Sequence, residues 1–544
     1  MIRVENLSYG FPQKELFQNV SFTLEAGAHC AFIGSNGTGK TTLVDMIMHT
    51  DKYLYDGKIQ RDSECRIGYV SQFSKEDKNR EITVFEYLSE VFVKNQEETA
   101  LVCAQMAEAE DAEAVFEKYQ ALLDAFLSMD GEHYESNIKK QLNTVGMSGR
   151  EQTLLSQLSG GEYKLLQVMK EMLIQPNLLI MDEPDVFLDF ENLNGLCKLI
   201  NGHKGTILVI THNRYLLNHC FNKILHLENT DIQEFDGSYI EYNYALLQKK
   251  IELQEMAKRD KEEIARNEAM VDRMRTVATN ASIAALGRAL HARETHLARL
   301  RARQIKEPFL SLKMPDIQLP QVESNPEEVV LSVWDYEVAF DELLLSNVCF
   351  ELHGNEKVAI VGANGTGKTT LLRDIYKNHH PSITIGENAK VEFLSQVYDD
   401  SAKTTLSGGE QNLKQIERIC ASDANLLLLD EPTSHLDTYT QVALEKAIGK
   451  YQGAVLMVSH DFYNIVNCAD YILYVDDKSV RRMRIRSFRK MIYENHFDKE
   501  YLETEQKKKE LEMRIETALQ NADVTLAKEL CEQLGKVVEK LVVR

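Results

Sequence analysis

Two nine-residue stretches hold the side chains best suited to handling a phosphate. Gly34, Ser35, Asn36, Gly37, Thr38, Gly39, Lys40, Thr41 and Thr42 recur 328 positions later as Gly362, Ala363, Asn364, Gly365, Thr366, Gly367, Lys368, Thr369 and Thr370. Each stretch fits G-x-x-x-x-G-K-[ST] between apolar text that reads as a strand and a Thr-Leu-rich start that reads as a helix. Glycine lets successive backbone N–H groups curl around phosphate oxygens, and the helix N-terminus adds its positive end. Lys40 and Lys368 are expected to reach the outer phosphates, and Thr41 and Thr369 to hold magnesium. The loops therefore predict ATP and Mg2+ as cofactors.

Paired carboxylates follow two other apolar runs, as Asp182-Glu183 and Asp430-Glu431. The aspartates are expected to orient the magnesium ion and the glutamates to polarise an attacking water. His212 and His460 each lie 29 positions beyond their glutamate, just after a short apolar strand. A lone histidine is more often structural, but this matched placement favours contact with the terminal phosphate.

The elements that must position these groups come in two sets. Leu158-Ser159-Gly160-Gly161-Glu162 recurs as Leu406-Ser407-Gly408-Gly409-Glu410 at an offset of 248, which the acidic pairs and histidines share. The drop from 328 to 248 means that the second half lacks about eighty residues between its first two motifs. Gln72 and Gln396 precede Ser159 and Ser407 by 87 and 11 positions, so most of the missing text lies between those two residues. Between the halves the sequence is helical in spacing, with Gly287 its only glycine between 240 and 328, and Pro308, Pro315, Pro320 and Pro326 mark a linker.

Composition sets the class. The 544 residues are 44% hydrophobic and 27% charged, enough for several cored domains. No apolar run approaches the length of a bilayer crossing. The nine cysteines are scattered singly, which argues against a zinc or iron–sulfur site and suits a reducing compartment. The chain opens in a strand pattern rather than an apolar leader, so a cytoplasmic protein with no membrane partner is expected. A net charge of −22 would repel bare nucleic acid, and free DNA is not an expected partner. Residues 270 to 306 nevertheless hold eight basic side chains against two acidic ones, leaving −28 for the remainder. A basic probe on an acidic body suits RNA phosphate at one place, with Arg273, Arg275 and Arg288 as candidates. Arg482 and Arg484 form a second basic run, where the first half carries Glu234 and Asp236. They read as one face of an edge strand continuing to Arg486, either an RNA contact or a charged edge that resists pairing.

The set of loop, glutamine, L-S-G-G-E, Asp-Glu and histidine resembles the ATP-binding cassette superfamily. That resemblance implies two composite sites, each closed by the other cassette's signature loop. Site one would join Lys40, Gln72, Glu183 and His212 with Ser407 and Gly409. Site two would join Lys368, Gln396, Glu431 and His460 with Ser159 and Gly161. Tyr9 and Tyr336 precede the first core strand of each half and are candidates for stacking on adenine. The inter-cassette text Met270-Val-Asp-Arg-Met-Arg275-Thr-Val-Ala278-Thr-Asn-Ala281, then Arg288, is similar to the ABC-F arm motif, as is Asp430-Glu-Pro-Thr-Ser-His-Leu-Asp437 to its D-E-P-T-N-H-L-D signature. The fold so implied is α/β. Two P-loop cassettes, 1–239 and 329–493, flank a helical hairpin arm and linker, 240–328, and a helical, coiled-coil tail spans 494–544. ABC-F proteins act on the ribosome with the arm near the peptidyl-transferase centre and tRNA, so rRNA and tRNA are implied partners. The protein is expected to be a monomer with intramolecular pairing. General translation and protection against ribosome-targeting antibiotics both fit. An ABC transporter subunit is the alternative, although the basic arm would then have no task. The signature loop of the second half lacks its usual helical support, so site one is expected to close less firmly. The first half also reads Phe187 where the second has His435.

Overall fold

A computed structural model describes residues 2–62, 65–72, 78–106, 112–186, 188–280, 284–303, 315–339, 343–395, 408–494, 499–521 and 523–542. Of these, only the backbone is described at 112, 277–280, 284–289, 301–303, 408, 492–494 and 499–502. The chain forms two compact units, Met1–Ser238 with Pro315–Met491, and Tyr239–Met314 with Ile492–Arg544.

The first unit holds the two repeated halves. The first half begins with β1 (Ile2–Phe11), β2 (Lys14–Leu24), β3 (His29–Gly34), α1 (Lys40–Met48), β4 (Asp56–Arg61) and β5 (Ile67–Val70). A helical insert follows, α2 (Val84–Gln105), α3 (Ala112–Ser128) and α4 (Tyr134–Thr144), and then α5 (Gly160–Leu173). The half closes with β6 (Leu178–Asp182), α6 (Phe190–Gly202), β7 (Thr206–Ile210), α7 (Arg214–His219), β8 (Lys223–Glu228) and β9 (Asp231–Asp236). Every residue of β6 and β7 is buried. Such continuous apolar runs suit central parallel strands covered on both faces. The sheet order is β5-β6-β7-β3-β8-β9, parallel except for β8 with β9, and β2-β1-β4 form a separate antiparallel sheet. The phosphate loop and the acidic pair thus both leave the carboxyl ends of neighbouring strands, where open α/β sheets bind ligands.

The unit's second half opens after the helices α8 (Tyr239–Asn280) and α9 (Ala284–Arg303), which belong to the other unit. It repeats the plan with β10 (Val329–Ala339), β11 (Leu343–His353), β12 (Lys357–Val361), α10 (Lys368–Lys377), β13 (Ile383–Ile385) and β14 (Val391–Leu394). Next come α11 (Gly408–Cys420), β15 (Leu426–Asp430), α12 (Thr438–Lys450), β16 (Ala454–Val458), α13 (Phe462–Cys468), β17 (Tyr471–Asp476), β18 (Ser479–Arg484) and α14 (Ile485–Glu494). The sheets are ordered β14-β15-β16-β12-β17-β18 and β11-β10-β13, the same plan as in the first half. Only 396–407, outside the described residues, intervene between Ser395 and α11, so the second half has no room for a counterpart of α2–α4. Contrary to the edge-strand reading, β18 ends at Arg484 and Arg486 is helical. The turn into α14 buries Phe488 against Phe462 and Phe190.

The second unit is helical, completed by α15 (Lys499–Gln520) and α16 (Val524–Val542). Ile264 and Val271 of α8 are buried with Leu297 of α9, and Leu290 and Leu300 flank them. The base of α8 is built into a bundle with α15 and α16, in which Ile240 and Ile251 pack among Leu511, Ile515, Leu530 and Leu534. Glu255 of α8 also pairs with Lys528 of α16. No described helix is long and apolar enough to cross a membrane.

Candidate functional site

Each glycine-rich loop wraps its lysine. Lys40 Nζ donates to the carbonyls of Gly34 at 2.8 Å and Ser35 at 3.0 Å, and Lys368 Nζ donates to those of Gly362 and Ala363. The helix that follows begins at Gly39, whose φ of 104° is left-handed; a Cβ there would lie 3.1 Å from the Phe17 ring and 3.2 Å from Leu16. Only glycine meets both demands without strain. Burial pushes Lys40 down to about 8 and lowers Lys368 as well. A polyanion in the loop offsets that cost, so the cradle fits a phosphate chain.

The acidic pairs stand beside the loops. Thr41 Oγ1 donates to Asp182 Oδ2 at 2.9 Å, and Thr369 Oγ1 to Asp430 Oδ1 at 3.1 Å. Each pair brings one hydroxyl and one carboxylate together, the hard oxygen donors that Mg2+ prefers. Glu183 and Glu431 both have left-handed backbones, with φ of 46° and 49°. Their amides donate to Ile210 and Val458, each at 2.9 Å, so the adjacent strand holds this uncommon conformation. His212 and His460 are pushed down to about 4 and about 3, chiefly by burial, and are neutral at pH 7. A neutral imidazole can offer one N–H, and the buried Nε2 of His212 has no hydrogen-bond partner among the described residues.

The two halves meet across these groups. Asn36 of the first loop donates its amide to Asp437 Oδ2 at 3.2 Å and its side chain to the His435 carbonyl at 2.7 Å. A Cβ on Gly409 would come within 2.6 Å of Asn36 Nδ2, so the second signature helix lies against the first loop. Reciprocally, Asn364 donates its amide to Asp189 Oδ2 at 3.3 Å. Gly160, Lys368, Glu431 and His460 line one cavity of about 550 Å³. Ser159 caps α5 in a reciprocal pair with Glu162, leaving the amide end of that helix at the cavity. Gly161 is the next residue of that turn, and Gly408 opens α11. Gln396 and Ser407 lie outside the described residues, as does Phe187.

The sites differ in their glutamates. Gln72 Nε2 donates to Glu183 Oε2 at 2.6 Å, and His435 Nδ1 of the other half lies 3.6 Å from the same oxygen. Burial alone would raise Glu183, but His435, His212 and the Lys40 ammonium outweigh it and bring it below its usual range. Glu431 accepts the backbone N–H of His460 at 3.2 Å, and burial beside Asp430 pushes it up to about 8.

The adenine assignment divides. Tyr9 is half-buried, edge-on to Phe11 and Tyr53. Tyr336 is fully buried and donates its hydroxyl to Asp374 at 2.7 Å, so it is a core residue and does not stack on a base. Register explains the error. Tyr336 pairs with Val348 as Leu7 pairs with Val20, whereas Val338 and Leu345 match Tyr9 and Phe17. Two residues escaped the sequence reading. Lys164 is buried and donates to the carbonyls of Ser71 and Gln72, steadying the Gln72 loop. Phe11 is 53% exposed at the tip of a hairpin whose Lys14 bonds the Gly37 carbonyl at 2.6 Å. A lysine two places after the signature, and an aromatic beside the hairpin turn, were the available signals.

The basic candidates are exposed but not all unengaged. Arg273 is open, whereas Arg275 donates to Glu294 at 2.7 Å. The Arg288 side chain lies outside what is described. The Arg482 guanidinium lies 3.6 Å from the centre of the Tyr471 ring, and Arg484 is exposed opposite Tyr471 in the strand register. Glu234 and Asp236 of the first half hold Lys223, which occupies the position of Tyr471. The reversal of sign between the halves therefore follows the cross-strand partner.

A family model described as ABC transporter matches residues 17–186 and 345–396. The chain is 27% identical over 515 residues to the uncharacterized ABC transporter ATP-binding protein YfmM of Bacillus subtilis, covering 85% of this chain and 96% of that one. It is 26% identical over 517 residues to the energy-dependent translational throttle protein EttA of Escherichia coli, covering 86% and 90%. Among solved structures, a model of ribosome-bound archaeal Pelota and ABCE1 superposes with a TM-score of 0.54 at 15% identity, covering 90% of this chain and 80% of that one, a likeness of fold.

Proposed function

We propose that this chain, a tandem of ATP-binding cassettes similar in sequence to EttA, is an ATPase of the ABC-F group that acts on the ribosome in the cytoplasm. It would bind there in the ATP-closed form and leave on hydrolysis. The observation that carries this reading is the basic second limb of the α8–α9 hairpin in a chain that is otherwise strongly acidic. Similarity over 86% of the chain to a protein named as a translational throttle supports it.

Each site then works through this chain's own groups. Loop amides and Lys40 or Lys368 bind the phosphates of ATP, and the amide ends of α5 and α11 close on them from the opposite cassette. Thr41 with Asp182, and Thr369 with Asp430, would hold the Mg2+ that neutralises phosphate charge when bound. Glu183 and Glu431 orient and polarise the attacking water, while His212 and His460 offer an N–H to the terminal phosphate. Phe11 replaces Tyr9 as the first choice for adenine stacking at site one.

The test is sedimentation with 70S ribosomes. Glu183→Gln with Glu431→Gln removes both carboxylates but leaves the phosphate cradle, so ATP binding should persist, hydrolysis should fall, and the protein should pellet with ribosomes in ATP. A hydrolysis-dead variant that binds ATP yet stays in the supernatant would overturn the ribosomal reading. Protection against ribosome-targeting antibiotics is a separate outcome, read as growth of an expressing strain across a drug series.

A further inference from the structure

The helices that follow the two histidines touch each other. α7 begins at Arg214 behind the cap Asn213, whose Oδ1 accepts the amides of Tyr215 and Leu216. α13 begins at Phe462 behind the cap Asp461, whose Oδ1 accepts those of Tyr463 and Asn464. Arg214 crosses between the cassettes. It donates to Asp461 Oδ2 at 3.0 Å and to Glu445 of α12. Its guanidinium lies 4.8 Å from the centre of the Tyr463 ring, and that hydroxyl accepts from Asn218 of α7 at 2.8 Å. Only 11% of the Arg214 side chain and 7% of Glu445 are exposed. A buried pair of this kind adds little net stability but fixes geometry, because neither partner can leave alone without stranding a charge.

Asp461 therefore serves two elements at once. One oxygen caps the helix that carries His460 at its entrance, and the other holds an arginine two residues from His212. The mirror contact cannot form. At the 248 offset Arg214 corresponds to Phe462, Asp461 to Asn213 and Glu445 to Cys197, and none of those three can make a charged link.

We propose that Arg214 is a positioning residue that couples the two ATP sites by tying α7 to α13, so that a shift of one histidine loop displaces the other. The proposal rests on the reading of His212 and His460 as contacts to the terminal phosphate. Within it, release of phosphate at one site is transmitted as movement of a capped helix rather than through either nucleotide.

The experiment compares ATPase rates of the single Glu183→Gln and Glu431→Gln variants in the native chain and in two severed backgrounds. Asp461→Asn with Glu445→Gln removes both carboxylates that hold Arg214 but keeps a capping side chain, as Asn213 does in the first cassette. Arg214→Met with Glu445→Gln cuts the link from the other side and strands no charge on Glu445. In the native chain, blocking one site should slow the other by at least about 5-fold, the low end of typical coupling. In both severed backgrounds the two single-site rates should add to the unblocked rate. Asn218→Ala, which loosens the same packing without touching the ion pair, should leave the coupling in place. The proposal is wrong if the native sites already turn over independently, if coupling survives both severed backgrounds, or if Asn218→Ala abolishes it equally. His212→Ala and His460→Ala test the underlying reading separately, since unchanged hydrolysis in both would remove the histidines from the site whatever Arg214 does.

Discussion

Gln72 holds Glu183 by a 2.6 Å hydrogen bond, whereas Glu431 is buried beside Asp430, with His460 Nε2 3.7 Å from its Oε1. The consequence is a difference in protonation. Glu431, at about 8, is largely protonated at neutral pH and becomes a carboxylate only as pH rises through that value. Glu183 lies below its usual range and is ionised throughout. With Glu183→Gln only site two turns over, and its rate at saturating ATP should climb between pH 6 and 8, by up to about tenfold per unit. With Glu431→Gln the rate over the same span should be flat. Parallel profiles would show that the two glutamates share one environment.

The arm should report its charge through salt. Replacing Arg273, Arg275 and Arg288 with glutamine should weaken ribosome binding and lower the slope of log affinity against log salt by about 0.7 to 0.9 per lost phosphate contact. Loss of Arg275 should cost the fold little, because its exposed pair with Glu294 contributes about 0 to 1 kcal/mol. Nucleotide affinity should not change. A salt slope equal to that of the native chain would assign these arginines to a solvated face.

The edge strand gives a cleaner decision. Arg482→Glu removes a guanidinium stacked on Tyr471 and places a carboxylate near Glu356. Combined with Arg484→Glu in the hydrolysis-dead background, it should abolish ribosome retention if this face meets RNA, with ATP binding intact. Retained binding with normal solubility would make the arginines a guard on an exposed strand edge.

Leu534 sits fully buried in the bundle of α8, α15 and α16. Leu534→Ala should destabilise that helical unit by about 2–5 kcal/mol through lost burial and an unfilled cavity. The unit should melt earlier in a thermal scan while hydrolysis by the cassettes is unchanged. An unaltered melting profile would mean the tail does not brace the arm.

The loops, acidic pairs and histidines stand out in the sequence because their spacing repeats, and the structure brings each loop beside its acidic pair. The exchange of signature loops was suggested only by family resemblance; the contacts of Asn36 with His435 and Asp437 show the first loop against the second cassette. Tyr336 was misread because β10 runs one residue out of step with β1. Asp335 takes the left-handed turn that Asn6 takes in β1, an offset of 329 rather than 328. Arg486 was misread because alternation of Arg with Met and Ile continues past Arg484, yet burial of Phe488 favours a helix there. Arg214 left no motif at all; it becomes visible only when the halves are laid position on position and Phe462 stands in its place.

That mismatch distinguishes a fused chain from a dimer of identical subunits. In a twofold dimer every contact is made twice, so a residue that improves one end of the interface must be tolerated at the other. Here Arg214 pairs with Glu445 and Asp461, whereas Phe462, at the matching position of the second half, packs against Phe190 and Phe488. The interface has a direction. A charge on one side of the pseudo-twofold and a ring on the other let a fused chain treat its two nucleotides unequally.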